Sequence, residues 1–288
     1  MCLAVFAFDM HRQWPLVVAA NRDEYHARAA LPMQPWPEAP QVLAGRDLQA
    51  GGIWLGIDNH SRLALLTNVR DPKHTKPDAP SRGRLAQDFL TGELTAEQYL
   101  ASLANQASQY NGFNLVVVDP VNASNRGRDR HPNDPEFAAW HASNYQQPFA
   151  STVKPGIHAI SNALLDTQWP KTERTTEALA AYLSGAQSIN PQALTEIMLD
   201  TRSVEDALLP STGVTLERER LLATPFIIDP DYGTRCTTIV LRHRTGLCWV
   251  QEDSYDQTGT CTQSIKWWHA PAQAWQQTQL GPESFITV

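Results

Sequence analysis

The residue best placed to do chemistry is Cys2, which follows the initiator methionine. Its side chain is small enough for methionine aminopeptidase to remove Met1, leaving a thiol and a free α-amine on one residue. An ordinary α-amine titrates at about 7.7 to 8 and a thiol at about 8.5, so near neutrality the amine can take the thiol proton without extreme tuning. Nucleophile and base then share one residue. Read from position alone, Cys2 is also a small buried residue of a first strand, the commoner case. The second feature is Asn21-Arg22-Asp23-Glu24, four consecutive polar or charged residues. Arg22 suits stabilisation of a thiolate, and Asp23 suits holding the α-ammonium or orienting the amine. A polar loop closed by a local salt bridge is the plain alternative.

Strands must bring these residues together. Residues 2–9 and 16–21 are apolar and rich in strand formers, and the polar stretch 11–15 between them predicts a hairpin at the chain start. In that hairpin the polar tetrad directly follows a strand over 16–20 and returns to residue 2. A second hairpin is expected over 54–57 and 63–68, joined by the turn-forming Asp58-Asn59-His60-Ser61 and preceded by Gly51-Gly52, where backbones can approach closely. Helical patterning covers 83–90, 96–104 and 171–183, and Pro191 opens another helix through 199. Further strands are expected at 113–118, 158–161, 226–228, 237–241, 247–251 and 262–267. The proline-rich stretch 32–40 reads as an ordered surface excursion. Strands first, helices in the middle and strands last place both chain ends in one sheet system, giving a single α+β domain over residues 1–288.

With 288 residues and 42% hydrophobic content the chain can bury a large core. A net charge of −7 argues against a nucleic-acid partner, which needs a coherent basic face. The basic clusters at 70–76 and 126–131 lie among Pro, Asn, Asp and Gly and read as solvated loops. The cysteines at 2, 236, 248 and 261 form no CxxC pair and have no His at zinc-ligand spacing, so no metal is expected and a reducing, cytoplasmic setting follows. The apolar run 3–8 is closed by Asp9 and has no basic residue before it, so neither a secretory signal nor a membrane span is expected there, and no later segment is long enough.

Cys2 at the head of a strand, then Asn21-Arg22-Asp23-Glu24, Gly51-Gly52-Ile53-Trp54-Leu55-Gly56 and Leu66-Thr67-Asn68 form an ordered series. It continues through Asn111-Gly112-Phe113-Asn114, Ser161-Asn162-Ala163-Leu164-Leu165-Asp166, Trp169-Pro170-Lys171 and Tyr232-Gly233-Thr234-Arg235. The series resembles the NRDE family, whose animal member is the transport and Golgi organisation protein 2, and covers nearly the whole chain. That family looks like a branch of the N-terminal nucleophile hydrolases, which implies a four-layer αββα sandwich. The nearest mechanistic analogy is to choloylglycine hydrolases, which use an N-terminal Cys, an Arg and an Asp after the second strand, and two Asn residues. Cys2, Arg22 and Asp23 take the first places by this resemblance; Asn68 is the candidate for the first Asn and Asn162 resembles the second. The chain departs from that pattern in the tighter spacing of Arg22 and Asp23 and in lacking the Glu and Gly that usually follow the first Asn. Cys236 stands where relatives often carry Ser and reads as a small residue rather than a second nucleophile.

Two functions follow as expectations. In the first, Cys2 attacks a non-peptide amide, hydrolysing it or transferring its acyl group, with no cofactor; Asn68 and Asn162 donate to the oxyanion. Asn21, Glu24, Trp54 and Arg235 are then substrate contacts, Arg235 through a substrate carboxylate. In the second, which rests on what the animal protein has been connected with, the chain carries haem or an acylated lipid, with some of its nine Trp residues lining an apolar pocket and Cys2 or a His ligating iron. The partner is accordingly a small-molecule amide or an apolar ligand.

Overall fold

The structure, a computed structural model, describes residues 2–120, 137–271 and 273–286. Its first strands are β1 (Cys2–Phe8), β2 (Leu16–Tyr25), β3 (Ala30–Trp36), β4 (Ala39–Asp47), β5 (Leu55–Asp58) and β6 (Leu63–Asn68). Helices α1 (Gly83–Thr91) and α2 (Ala96–Ala104) precede β7 (Phe113–Pro120), β8 (Phe137–Ser143), β9 (Ala150–Val153) and β10 (Gly156–Ile160). Helices α3 (Pro170–Gly185), α4 (Pro191–Met198) and α5 (Leu216–Leu222) lead to β11 (Tyr232–Arg242), β12 (Cys248–Tyr255), β13 (Cys261–His269) and β14 (Gln276–Thr278).

The strands form two seven-stranded sheets, one ordered β10-β1-β2-β11-β12-β13-β14 and the other β3-β4-β5-β6-β7-β8-β9. Apolar residues on both faces of a strand require cover on both sides. Ala4, Phe6 and Phe8 of β1 meet Leu55, Leu65 and Val116 of the other sheet in the core between the sheets. Leu3, Val5 and Ala7 of β1 point the other way, onto Leu179 of α3 and Leu194 of α4. On the outside of the second sheet, Ala64 and Val117 pack on Leu85 and Phe89 of α1 and on Leu100 of α2. The layers therefore run α-β-β-α, the sandwich expected of the N-terminal nucleophile hydrolase type. No helix among the described residues is long and apolar enough to cross a membrane.

Several elements differ from expectation. The polar tetrad does not follow the second strand but lies inside it, because β11 pairs along β2 as far as Tyr232 opposite Tyr25. Residues 32–40 are no surface excursion; they make most of β3 and the start of β4. As an edge strand, β3 tolerates Pro32 and Pro35, and its pairing with β4 shifts register beside them. Residues 226–228 are not a strand, although Ile227 exchanges hydrogen bonds with Thr234 of β11, backbone N–H to Oγ1 at 2.9 Å and carbonyl to N–H at 2.9 Å. The basic cluster at 126–131 lies outside the described residues.

Candidate active site

Cys2 opens β1 opposite Arg22 of β2, and Arg22 in turn stands opposite Cys236 of β11. Side chains alternate along a strand. Leu16, Val18 and Ala20 face the core between the sheets, so Arg22 and Glu24 continue that face, while Asn21 and Asp23 turn toward the α3–α4 layer. At this end of the sandwich both sheets contribute to a cavity of 220 Å³ whose wall includes Cys2, Arg22, Glu24, Trp54, Asn68 and Arg82, with Asp23 also reaching it.

Cys2 is 9% exposed. Burial pushes its thiol up, Asp23 adds to the effect and Arg22 opposes it. A thiol raised in this way needs a base to act as a nucleophile. The Arg22 side chain, 5% exposed, stacks on Trp54 with 4.5 Å between guanidinium carbon and ring centroid; its nearest carboxylate is Asp47 at 3.6 Å. Asp23 Oδ1 accepts the Thr234 hydroxyl at 2.8 Å, and the Asp23 carbonyl accepts the Tyr232 hydroxyl at 3.0 Å. Burial raises the Asp23 carboxyl, with Lys171 the strongest side-chain charge opposing that rise.

Lys171 was not assigned a role by the sequence motif that contains it. It lies in the first turn of α3 and is 2% exposed. An ammonium at a helix N-terminus sits at the wrong end of the helix dipole. Burial lowers it to about 8, and Asp23 is the strongest charge acting in the other direction. The sequence signal was a lysine directly after a helix-starting proline, where an acid is the usual choice.

The two asparagines are in different situations. Asn68 ends β6 at the cavity wall, and its side-chain amide makes no hydrogen bond among the described residues. Asn162 Nδ2 instead donates to the Asn68 carbonyl at 2.9 Å, and the Asn162 carbonyl accepts the Arg70 N–H at 2.8 Å. Ser161 Oγ donates to the Cys2 carbonyl at 3.0 Å and lies 3.3 Å from Asn162 Oδ1. Asn162 thus ties the strand end carrying Asn68 to the segment that holds Cys2. Arg70, expected in a solvated loop, buries its side chain and pairs with Glu219 at 2.9 Å; Glu219 also accepts the Thr212 N–H at 2.7 Å.

Two expected substrate contacts lie away from the cavity. Asn21 donates to the carbonyls of Met198 at 2.8 Å and Pro225 at 2.9 Å and accepts the Thr237 hydroxyl at 2.7 Å, so it fastens β2 to the end of α4. Arg235 falls where the register of β11 against β2 shifts between Thr234 and Cys236. A bulge re-aims the extra side chain, and Arg235 donates instead to the carbonyls of Tyr25 at 3.1 Å and His26 at 3.0 Å. Burial and Glu252 hold the Cys236 thiol well above the ordinary range. Among the described residues no three His, Cys, Asp or Glu side chains group as a metal site.

The chain is thus a four-layer αββα sandwich with a cysteine heading its first strand beside a cavity that both sheets line. The chain belongs to the Transport and Golgi organisation 2 family, whose description matches residues 1–257. The match carries that name rather than NRDE, which describes the motif at 21–24. The chain is 29% identical to the Transport and Golgi organization 2 homolog of Mus musculus over 260 residues, covering 85% of this chain and 90% of the relative. It is 33% identical to the Drosophila melanogaster protein of that name over 141 residues, 44% of this chain and 49% of the relative. Among solved structures it is similar to the mutant C2A conjugated bile acid hydrolase from Clostridium perfringens, with a TM-score of 0.48, 8% identity, and coverage of 98% of this chain and 97% of that one. It is also similar to the Caenorhabditis elegans N-acylethanolamine-hydrolyzing acid amidase ortholog, with a TM-score of 0.45, 10% identity, and coverage of 83% of this chain and 92% of that one.

Proposed function

We propose that this chain is a cysteine-type N-terminal nucleophile hydrolase or acyltransferase that cleaves a non-peptide amide through Cys2 once Met1 is removed. Met1 lies outside the described residues, and its removal is part of the proposal. The observation that carries the reading is that Cys2, Arg22 and Asn68, whose side-chain amide makes no hydrogen bond among the described residues, line one cavity.

In the proposed reaction the freed α-amine, directly or through a water, takes the thiol proton as Cys2 Sγ bonds to the amide carbon. The carbonyl π electrons move onto oxygen, and the Asn68 amide donates to that oxyanion, a contact worth about 3 kcal/mol of barrier. Collapse expels the amine, which leaves with the proton held by the α-ammonium, and an acyl thioester remains on Cys2. Water, or an acceptor amine or alcohol, then adds to the thioester and gives its proton to the α-amine; the thiolate leaves and is reprotonated. Asp23 orients the α-amine, and Asn162 positions Asn68 rather than touching the oxyanion. Carriage of haem or an acylated lipid finds less support here: the cavity wall includes one Trp and no His. At 220 Å³ the cavity is also smaller than the range of about 300–1,000 Å³ usual for larger ligands.

Intact-mass measurement should show Met1 absent, and an electrophilic acyl probe should modify Cys2 alone. Label should be lost in Cys2→Ala, with no saturable Soret shift on haemin titration. Retention of Met1 in the purified chain, or labelling undiminished in Cys2→Ala, would sink the hydrolase reading.

A further inference from the structure

Arg22 carries five N–H donors, yet among the described residues its buried side chain makes no hydrogen bond. Its ion pair with Asp47 is long, at 3.6 Å, because Asp47 is held by Arg28 Nε at 2.6 Å. A guanidinium stacked on an indole still has its N–H edge available, and this one lines the cavity. Arg82 lines the same cavity; its hydrogen bond goes to the neutral Gly112 carbonyl at 2.9 Å, and no carboxylate among the described residues lies within ion-pair distance of it. The cavity's own acids are engaged elsewhere. Asp23 accepts from Thr234, Glu24 faces Arg28 at 3.7 Å, and Asp47 takes Arg28 and the N–H groups of Gln49 and Ala50. Helix α1 begins at this wall with no side chain capping it, which adds the positive end of its dipole. Partly desolvated cations with spare donors favour an incoming anion.

We propose that Arg22, Arg82 and the uncapped start of α1 form a subsite for an anionic oxygen group, a carboxylate or a phosphate, carried by the substrate a few atoms from its scissile amide. The subsite rests on the amidohydrolase reading only in taking that anion as part of a substrate; binding itself needs no reactive thiol.

Calorimetric titration of the full Cys2→Ala chain with N-acetylglycine, N-acetylglycinamide and inorganic phosphate tests it. N-acetylglycine or phosphate should bind saturably and N-acetylglycinamide should not, and the tighter of the two anions identifies the group. Arg82→Gln should weaken anion binding about 10- to 100-fold, while Arg82→Lys keeps the charge and loses less. Equal affinity for N-acetylglycine and its amide, no binding of either anion, or an affinity unmoved in Arg82→Gln would overturn the subsite. Anion binding without Cys2 labelling would remove the hydrolase reading and leave the subsite standing; labelling without anion binding would do the reverse.

Discussion

Asn68 and Asn162 are alike in composition but not in what their amides do. Asn68 lines the cavity and its amide makes no hydrogen bond among the described residues, whereas Asn162 spends its own on the Asn68 carbonyl at 2.9 Å. Asn68→Ala should therefore lower kcat about 10²- to 10³-fold, the usual cost of losing an oxyanion donor, while the rate of Cys2 alkylation by iodoacetamide holds. Asn162→Ala leaves a half-buried carbonyl without this donor and should cost about 1–3 kcal/mol in urea denaturation, with a smaller loss of kcat. Equal kinetic losses and no stability difference between the two variants would overturn this division. The resemblance to choloylglycine hydrolases placed both residues but assigned them one role, since a family pattern records which residues recur and not where an amide points. Lys171 was missed for a related reason. Its importance depends on Asp23, about 150 positions away in the chain, and no local pattern joins them.

The hairpin over β1 and β2 was readable from its uninterrupted apolar runs, and so were β6, α1 and α4 from period, glycine and proline. The extent of β2 was not. Its polar half looks like a loop until β11 supplies a hydrogen-bonding partner from the far end of the chain. Strands β8 and β9 escaped because β8 interrupts its apolar run with His141 and Ser143, and β9 is short and buries only Val153. The bulge that removes Arg235 from the site is equally invisible, being a property of pairing between two strands. Gly51-Gly52, by contrast, was read for close backbone approach. A Cβ at Gly52 would meet the Gly83 carbonyl carbon at 2.5 Å and the Arg84 nitrogen at 2.9 Å, both backbone atoms of α1. Gly52→Ala should push α1 from its seat, break the 3.2 Å bond from Ile53 N–H to the Gly83 carbonyl, and cost about 1–3 kcal/mol. Because Arg82 directly precedes that helix, anion binding should weaken in the same variant; wild-type stability and binding in Gly52→Ala would show that the contact relaxes at no cost.

Across the whole molecule, the chain's two ends close one sheet while the middle builds the other, so the cavity forms only when β1, β2, β6 and the segment before α1 are all in place. A buried polar seam in the second sheet helps to fix that arrangement. Asn114 of β7 donates to Thr67 Oγ1 at 3.1 Å and to the Ala163 carbonyl at 2.7 Å, and its Oδ1 meets His141 Nε2 of β8 at 3.2 Å. The seam joins the strand ending in Asn68 to the loop carrying Asn162. Burial lowers the His141 imidazole from 6.5 to about 4, with Asp166 weakly opposing. Between those values the unfolded chain binds a proton that the native chain does not, so acidification favours unfolding. The stability His141 permits at neutral pH is thus intact above pH 6.5 and drains away as pH falls toward 4, by about 3 kcal/mol in all. His141→Gln keeps a donor for Asn114 but cannot titrate. Urea denaturation at about pH 7 and about pH 4.5 should show the wild type losing more stability than the variant over that interval. Parallel losses would mean that the imidazole accepts its proton without leaving the seam.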